Sequence, residues 1–250
     1  MTAFVQNAGH NSAHLTGTTI TAAVSGITVG NTLIVLAAAN ADAGATLTSI
    51  TDDQGAANTY TADVQALSST LPVVIIGSGK VVSAPSTVTA TFGANTYNRY
   101  IIVIEARLAD SPFDKGATAG YTALTTAFAT AATATTTADN EFVIAAFKVL
   151  AKGDAPSWTK GASYTDLGAL ATTTYSTFCP EYKDVTSKAA MTADGAWAGS
   201  SDHYLGAVAT YKSLTAPTTS IKAVAGVADA SISKVEGVAL ASIGKVSGLA

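Results

Sequence analysis

Apolar residues in this chain come in short runs, separated by clusters of Gly, Asn, Asp and Pro. Some runs are apolar throughout, as in residues 32–39, 71–76, 100–106 and 141–149. They are short and rich in β-branched residues, so they predict strands covered on both faces. Others alternate. In residues 86–92, Val88, Ala90 and Phe92 share one face and threonines take the other, the pattern of a half-covered strand. Residues 18–24, 47–50, 59–64, 172–178 and 204–211 complete the strand set. Pro72 stands at the head of its run, where a strand tolerates proline, and Ser111-Pro112 reads as the stop after the run at 100–106. Residues 122–138 are almost entirely Thr and Ala. Threonine opposes a helix there, and the segment predicts an extended strand or strand pair ending at Asp139-Asn140. Residues 152–168 predict a loop anchored by Trp158.

About ten strands, frequent turn signals and no amphipathic helix predict an all-β chain. The expected architecture is an antiparallel β-sandwich, jelly-roll-like, spanning residues 1–213. After a linker at 214–219 the pattern changes, and residues 220–250 repeat every eleven residues. Ile221, Ile232 and Ile243 form one column; Val224, Val235 and Val246 the next; then Gly226, Gly237 and Gly248. Val227, Val238 and Leu249 follow the glycines. One chain holds too little of such a repeat to bury its own apolar columns, so the tail is expected to self-associate or to add to a partner. A helical tail would form a slightly right-handed coiled coil. Glycine in each repeat opposes that, and short strands bent at each glycine are the favoured reading. A homotrimer is the favoured assembly.

Composition narrows the class further. Charged residues are only 12% of the chain, about half the usual share, so Thr, Ser, Asn and Gly must make its polar surface. With a net charge of −4 and only Arg99 and Arg107 as arginines, no basic stripe exists to bind nucleic acid. The lone Cys179 makes no internal disulfide and reads as a small buried residue. The first residues lack the basic and apolar regions of a secretory signal. No apolar run is long enough for a membrane-spanning helix. A surface made for packing without an export route fits a virion protein, folded in the host cytoplasm and carried out in a particle.

Candidate chemistry is sparse. His10 and His14 have the spacing of one helix face but lie in an irregular Asn/Ser-rich start without a further ligand. Asp202-His203 beside Ser200-Ser201 holds triad residue types, but adjacent residues do not make a triad. Glu105, Glu141, Glu181 and Glu236 are isolated in sequence. Asp52 and Asp53 suit a turn better than a calcium site. The reading is therefore non-enzymatic, with no catalytic residue, metal or cofactor. Of the aromatic residues, Trp158, Tyr164 and Trp197 make a candidate ligand rim, since each tryptophan sits among polar turn residues; burial in the core is the plainer alternative.

Several motifs resemble a family of jelly-roll-like β-sandwich domains of phage virion proteins and bacterial surface proteins. Gly30-Asn-Thr-Leu-Ile-Val-Leu36 resembles that family's buried G-N-x-L-V-V strand. Residues 50–60 resemble its V-T-D-x-x-G-N-x-Y turn with one extra alanine. Residues 87–92 resemble its next strand, and Asp139-Asn-Glu-Phe-Val-Ile-Ala145 its N-E-L-V-V-A strand. The tail resembles V-x-G-V-A-x-A-S-I-x-K repeats at the ends of tailed-phage particle proteins. The resemblance implies a capsid decoration or fibre subunit, with capsid or tail components as partners. The alternative is a glycan-binding adhesin module facing a host surface glycan, with a polysaccharide hydrolase a distant third.

Overall fold

The computed structural model describes residues 2–41, 46–68, 72–120, 125–150, 158–172, 176–198 and 203–214. The tail, with its linker after Leu214, lies outside them. The chain divides into two compact units at that point, the first being Met1–Leu214. In chain order its strands are β1 (Phe4–Ala13), β2 (Gly17–Ala23), β3 (Thr32–Ala41), β4 (Leu47–Asp52), β5 (Thr59–Leu67), β6 (Pro72–Lys80) and β7 (Thr87–Ala106). They continue as β8 (Leu108–Ala119), β9 (Ala127–Ala129), β10 (Glu141–Val149), β11 (Trp158–Lys160), β12 (Thr165–Asp166), β13 (Leu170–Thr172), β14 (Ser176–Val185), β15 (Asp194–Trp197) and β16 (Tyr204–Ser213). The paired strands of each ladder run antiparallel.

The expected all-β antiparallel sandwich forms, and the chain traces its path twice. The first sheet has the order β1-β7-β3-β6-β5, and the start of β7 also pairs with β2 and β4. The second has the order β8-β16-β10-β14-β12, and a small sheet β9-β15-β11 accompanies it. Position for position these are one jelly-roll-like path, with the long β7 of the first copy divided into β15 and β16 in the second. Where the sequence predicts one sandwich over residues 1–213, the structure holds two, packed into a single unit. The physical reason is that the middle strands of each central sheet are buried on both faces.

Three apolar layers result. Ile34, Leu36, Ile76, Ile102 and Ile104 of the first central sheet pack with Phe142, Ile144, Phe178, Leu205 and Tyr211 of the second. The other face of the first sheet, with Leu33, Val35, Ile75 and Val103, is covered by Ile20, Ile50, Val88 and Phe92. The other face of the second, with Val143, Phe147 and Val149, is covered by Phe128, Tyr164, Met191 and Trp197. Strands buried on both faces gain from apolar residues at every position, which is why β3, β6, β10 and β16 read as continuous runs.

Several expectations need correcting. The irregular start forms β1, an edge strand paired to β7, with Asn7 opposite Ile104 and His10 opposite Ile102. Ser111-Pro112 does not end strand structure, because β8 runs through both residues. Pro112 sits where the β8–β16 register shifts, a bulge on an edge strand where no N–H is needed. Pro180 lies within β14, and its carbonyl accepts from Leu167 N in the break between β12 and β13. Its missing N–H faces that same break. Among the described residues of 122–138, Ala127–Ala129 is the strand; residues 122–124 lie outside the description. Beyond it Thr130, Thr133 and Thr136 turn inward at every third residue and are nearly fully buried. Each donates its N–H to the carbonyl of Ala193, Met191 or Ala189 and accepts that residue's N–H on its own Oγ1. A side-chain hydroxyl thus replaces the strand carbonyl, a role that Ala could not fill.

Candidate functional site

Of the candidate rim, Trp158 and Trp197 stand directly opposite one another on β11 and β15. Trp197 and Tyr164 are each only 4% exposed and belong to the core of the second sandwich. The Tyr164 hydroxyl donates to Thr192 O at 2.6 Å. Trp158 is half-buried and stacks on Phe128, with centroids 6.1 Å apart and planes 11° from parallel. The three meet around one layer, yet as core anchors, and they present no open aromatic platform.

The polar candidates are tied into the fold. Asp52 accepts from Gln54 N (2.9 Å), Asn58 Nδ2 (2.6 Å) and Tyr60 Oη (2.8 Å). Asp53 accepts from Ser86 Oγ (2.5 Å) and Ser86 N (2.9 Å), bonds that hold its carboxyl down to about 2. Asp52 therefore closes the turn at Gly55–Ala57 onto β5, and Asp53 fastens it to the start of β7. His10 is exposed on β1, and His14 Nδ1 lies 2.5 Å from Asn98 Oδ1. Among the described residues no three His, Cys, Asp or Glu side chains converge on a metal-sized site. Cys179 is fully buried beside Val143 and Phe147.

The glutamates lie apart and behave differently. Burial alone would raise the Glu105 carboxyl, but donors from Gln6 (2.6 Å), Asn31 (2.5 Å) and Thr28 N (3.0 Å) outweigh it and hold it below the usual range. Glu141 is pushed up to about 7 by burial and by Asp114. The Asp114 carboxyl, despite burial, is held at about 2 by Thr137, whose hydroxyl and N–H bond it, and by Lys115. With Asp114 held ionised beside it, Glu141 is the carboxyl of the two that keeps its proton to higher pH. Glu181, also fully buried, is pushed up to about 7 by burial; one oxygen accepts from Gly161 N at 2.8 Å and the other has no partner. Glu236 lies outside the described residues.

Lys148 is fully buried and crosses between the sandwiches. Its Nζ donates to Asn98 O (3.1 Å) and Ser176 Oγ (3.0 Å) and sits 4.2 Å from the Tyr100 ring centre. Burial pushes its amine well below the usual lysine range. It is an internal cross-tie.

Two clefts open on the surface. One, of about 410 Å³, lies on the outer sheet of the second sandwich between Phe128, Lys160, Gly161 and Asp194. The other, of about 490 Å³, lies at the junction of the two sandwiches. Its floor carries Thr32, Thr61, Asp63 and Ser78, and the β8 residues Asp110 and Phe113 face them. Sequence reasoning missed this junction cleft. Thr59, Thr61 and Asp63 alternate visibly along β5, but the β8 wall opposite them lies far along the chain. The molecule is thus a tandem jelly-roll-like protein whose Ser176, Lys148 and Tyr100 polar groups meet in the buried layer between the sandwiches. The chain matches no protein-family model, no curated protein and no solved structure.

Proposed function

We propose that this chain is a non-enzymatic structural subunit of a phage virion, a capsid decoration or fibre protein, that assembles as a homo-oligomer through its C-terminal repeat. The observation that carries the reading is the eleven-residue repeat of Ile, Val and Gly columns, which begins just after the compact unit closes at Leu214. The body supports it in a second way. Asp52, Asp53 and Lys148 are spent on turns and a cross-tie, and the chain is poor in charge, as suits packing against neighbours. In this reading the paired sandwiches form the exposed or lattice-contacting part, and Ile221, Val224, Ile232, Val235, Ile243 and Val246 supply the buried seam of a trimer.

The test is removal of residues 215–250, with oligomeric state measured by sedimentation and particle incorporation by density gradient. The expected result is a folded monomer that no longer joins particles. A truncated protein that keeps its oligomeric state and still incorporates overturns the reading.

A further inference from the structure

The junction cleft is built by a change of chemistry along one face. In the middle of the first central sheet, the row Leu36, Ile76 and Val64 belongs to the apolar layer between the sandwiches. One row on, Ile34 and Ser78 are followed by Thr61, and the last row is Thr32, Lys80 and Thr59. The face that seals the two sandwiches thus ends in hydroxyl groups. A bulge in β5 between Ala62 and Val64 adds Asp63 to the strand. Its carboxylate accepts from Tyr211 Oη at 2.7 Å. A bulge commonly re-aims a side chain in this way.

Two further observations point to a ligand. Thr32 lines the cleft and is 1% exposed, yet its hydroxyl has no hydrogen-bond partner. Phe113, on the opposite wall, is 37% exposed, while its inner edge meets the Tyr211 ring at 65°. An open aromatic ring facing a floor of hydroxyls and a carboxylate matches a sugar, whose C–H face packs on a ring while its hydroxyls both donate and accept. The volume falls within the roughly 300–1,000 Å³ of small-molecule sites.

Other ligand classes fit less well. Lys80 is the cleft's cation and is paired with Asp110 at 3.1 Å, so no unpaired cation remains in the lining to attract an anion. A wholly apolar ligand would strip water from Thr61, Ser78 and Asp63 without replacing its hydrogen bonds. We infer that the junction cleft binds a neutral mono- or disaccharide, with Phe113 as the stacking surface and Thr32, Thr61, Asp63 and Ser78 as its hydrogen-bonding floor. This does not depend on the tail or on oligomerisation.

The test is saturation-transfer NMR on the full chain with glucose, galactose, mannose, rhamnose, N-acetylglucosamine and their common disaccharides at about 10 mM, a level that reveals a Kd near 1 mM. At least one is expected to bind, and Phe113→Ala and Asp63→Asn are each expected to weaken it tenfold or more. Asn keeps an acceptor for Tyr211, and Asp110→Asn, at a side chain 96% exposed, gives a third variant that leaves the fold alone while altering the wall. Trp158→Phe, beside the other cleft, is expected to leave binding unchanged, with thermal melting confirming that every variant is folded. The proposal is overturned if none of these sugars binds. It is equally overturned if binding survives Phe113→Ala or is abolished by Trp158→Phe.

Discussion

The two sandwiches follow the same strand path and solve the same packing problem by different means. In the first, a single 20-residue strand, β7, serves both layers: Ala90 lies between Ile20 and Ile50 in the cover, while Ile102 lies between His10 and Leu36 in the central sheet. The cover is aliphatic but for Phe92 and Tyr60, and laddered on both sides of β7. In the second, the cover is made of β9, β11 and β15, each three or four residues long. Large rings compensate for the missing ladder, with Phe128 tilted 43° against Tyr204 at 4.8 Å and the threonine row taking over where β9 stops. Regular hydrogen bonding and bulky side chains are thus interchangeable ways of closing one fold, and they should fail differently.

A matched pair of substitutions probes that difference most strongly. Phe92 and Phe128 are each 2% exposed, one in each cover. Replacing either by Ala is expected to cost about 3–5 kcal/mol. Phe92→Ala should fall at the upper end, because its laddered strand cannot collapse into the space, and Phe128→Ala at the lower end. Chemical denaturation measures both, and the reverse order would break the comparison.

The glutamates sharpen it next. In the second sandwich Glu141 and Glu181 have folded values of about 7, above the ordinary glutamate value of 4.5. The folded state then holds more protons between those limits, so the stabilisation these carboxyls give in acid is lost as pH rises from about 4.5 to 7, on the order of 3 kcal/mol for each. Glu105 in the first sandwich is shifted the other way, so its contribution is present above 4.5 and is lost as pH falls through its folded value. Melting curves from pH 4 to 8 should show the decline, and Glu141→Gln should flatten it while Glu105→Gln should not. An unchanged slope in Glu141→Gln would sink the assignment.

The smallest expected effect concerns the threonine row. Thr133→Val keeps the shape but leaves Met191 N–H buried without its acceptor, at a cost of about 1 kcal/mol. Thr89→Val in the first cover removes only an exposed contact with Thr21 and should lie within about 0.5 kcal/mol of the parent. Equal effects in calorimetry would mean that the hydroxyls of the row do not stand in for a strand.

The fold class was legible because apolar runs and turn clusters are local signals. Runs such as residues 32–39 and 141–149 announced strands covered on both faces, and Asp52 and Asp53 announced a turn. The candidate site was not legible. Trp158, Tyr164 and Trp197 looked like a rim because aromatic residues among turn residues suit a surface and a core equally well, and only burial separates them. Phe113 directly follows Ser111-Pro112, a local stop signal, and nothing near it in the sequence marks a cleft wall.

By itself, the sequence determined the all-β class, most strand positions and the eleven-residue repeat, since each depends on neighbours a few residues apart. Tertiary structure decided that the path is run twice, that β1 and β8 close the central sheets, and that Thr61, Asp63 and Phe113 share a cleft. These depend on pairings such as Asn7 with Ile104, whose partners lie far apart in the chain. Periodicity carries no record of such partners, because the same alternation serves any strand that lies alongside.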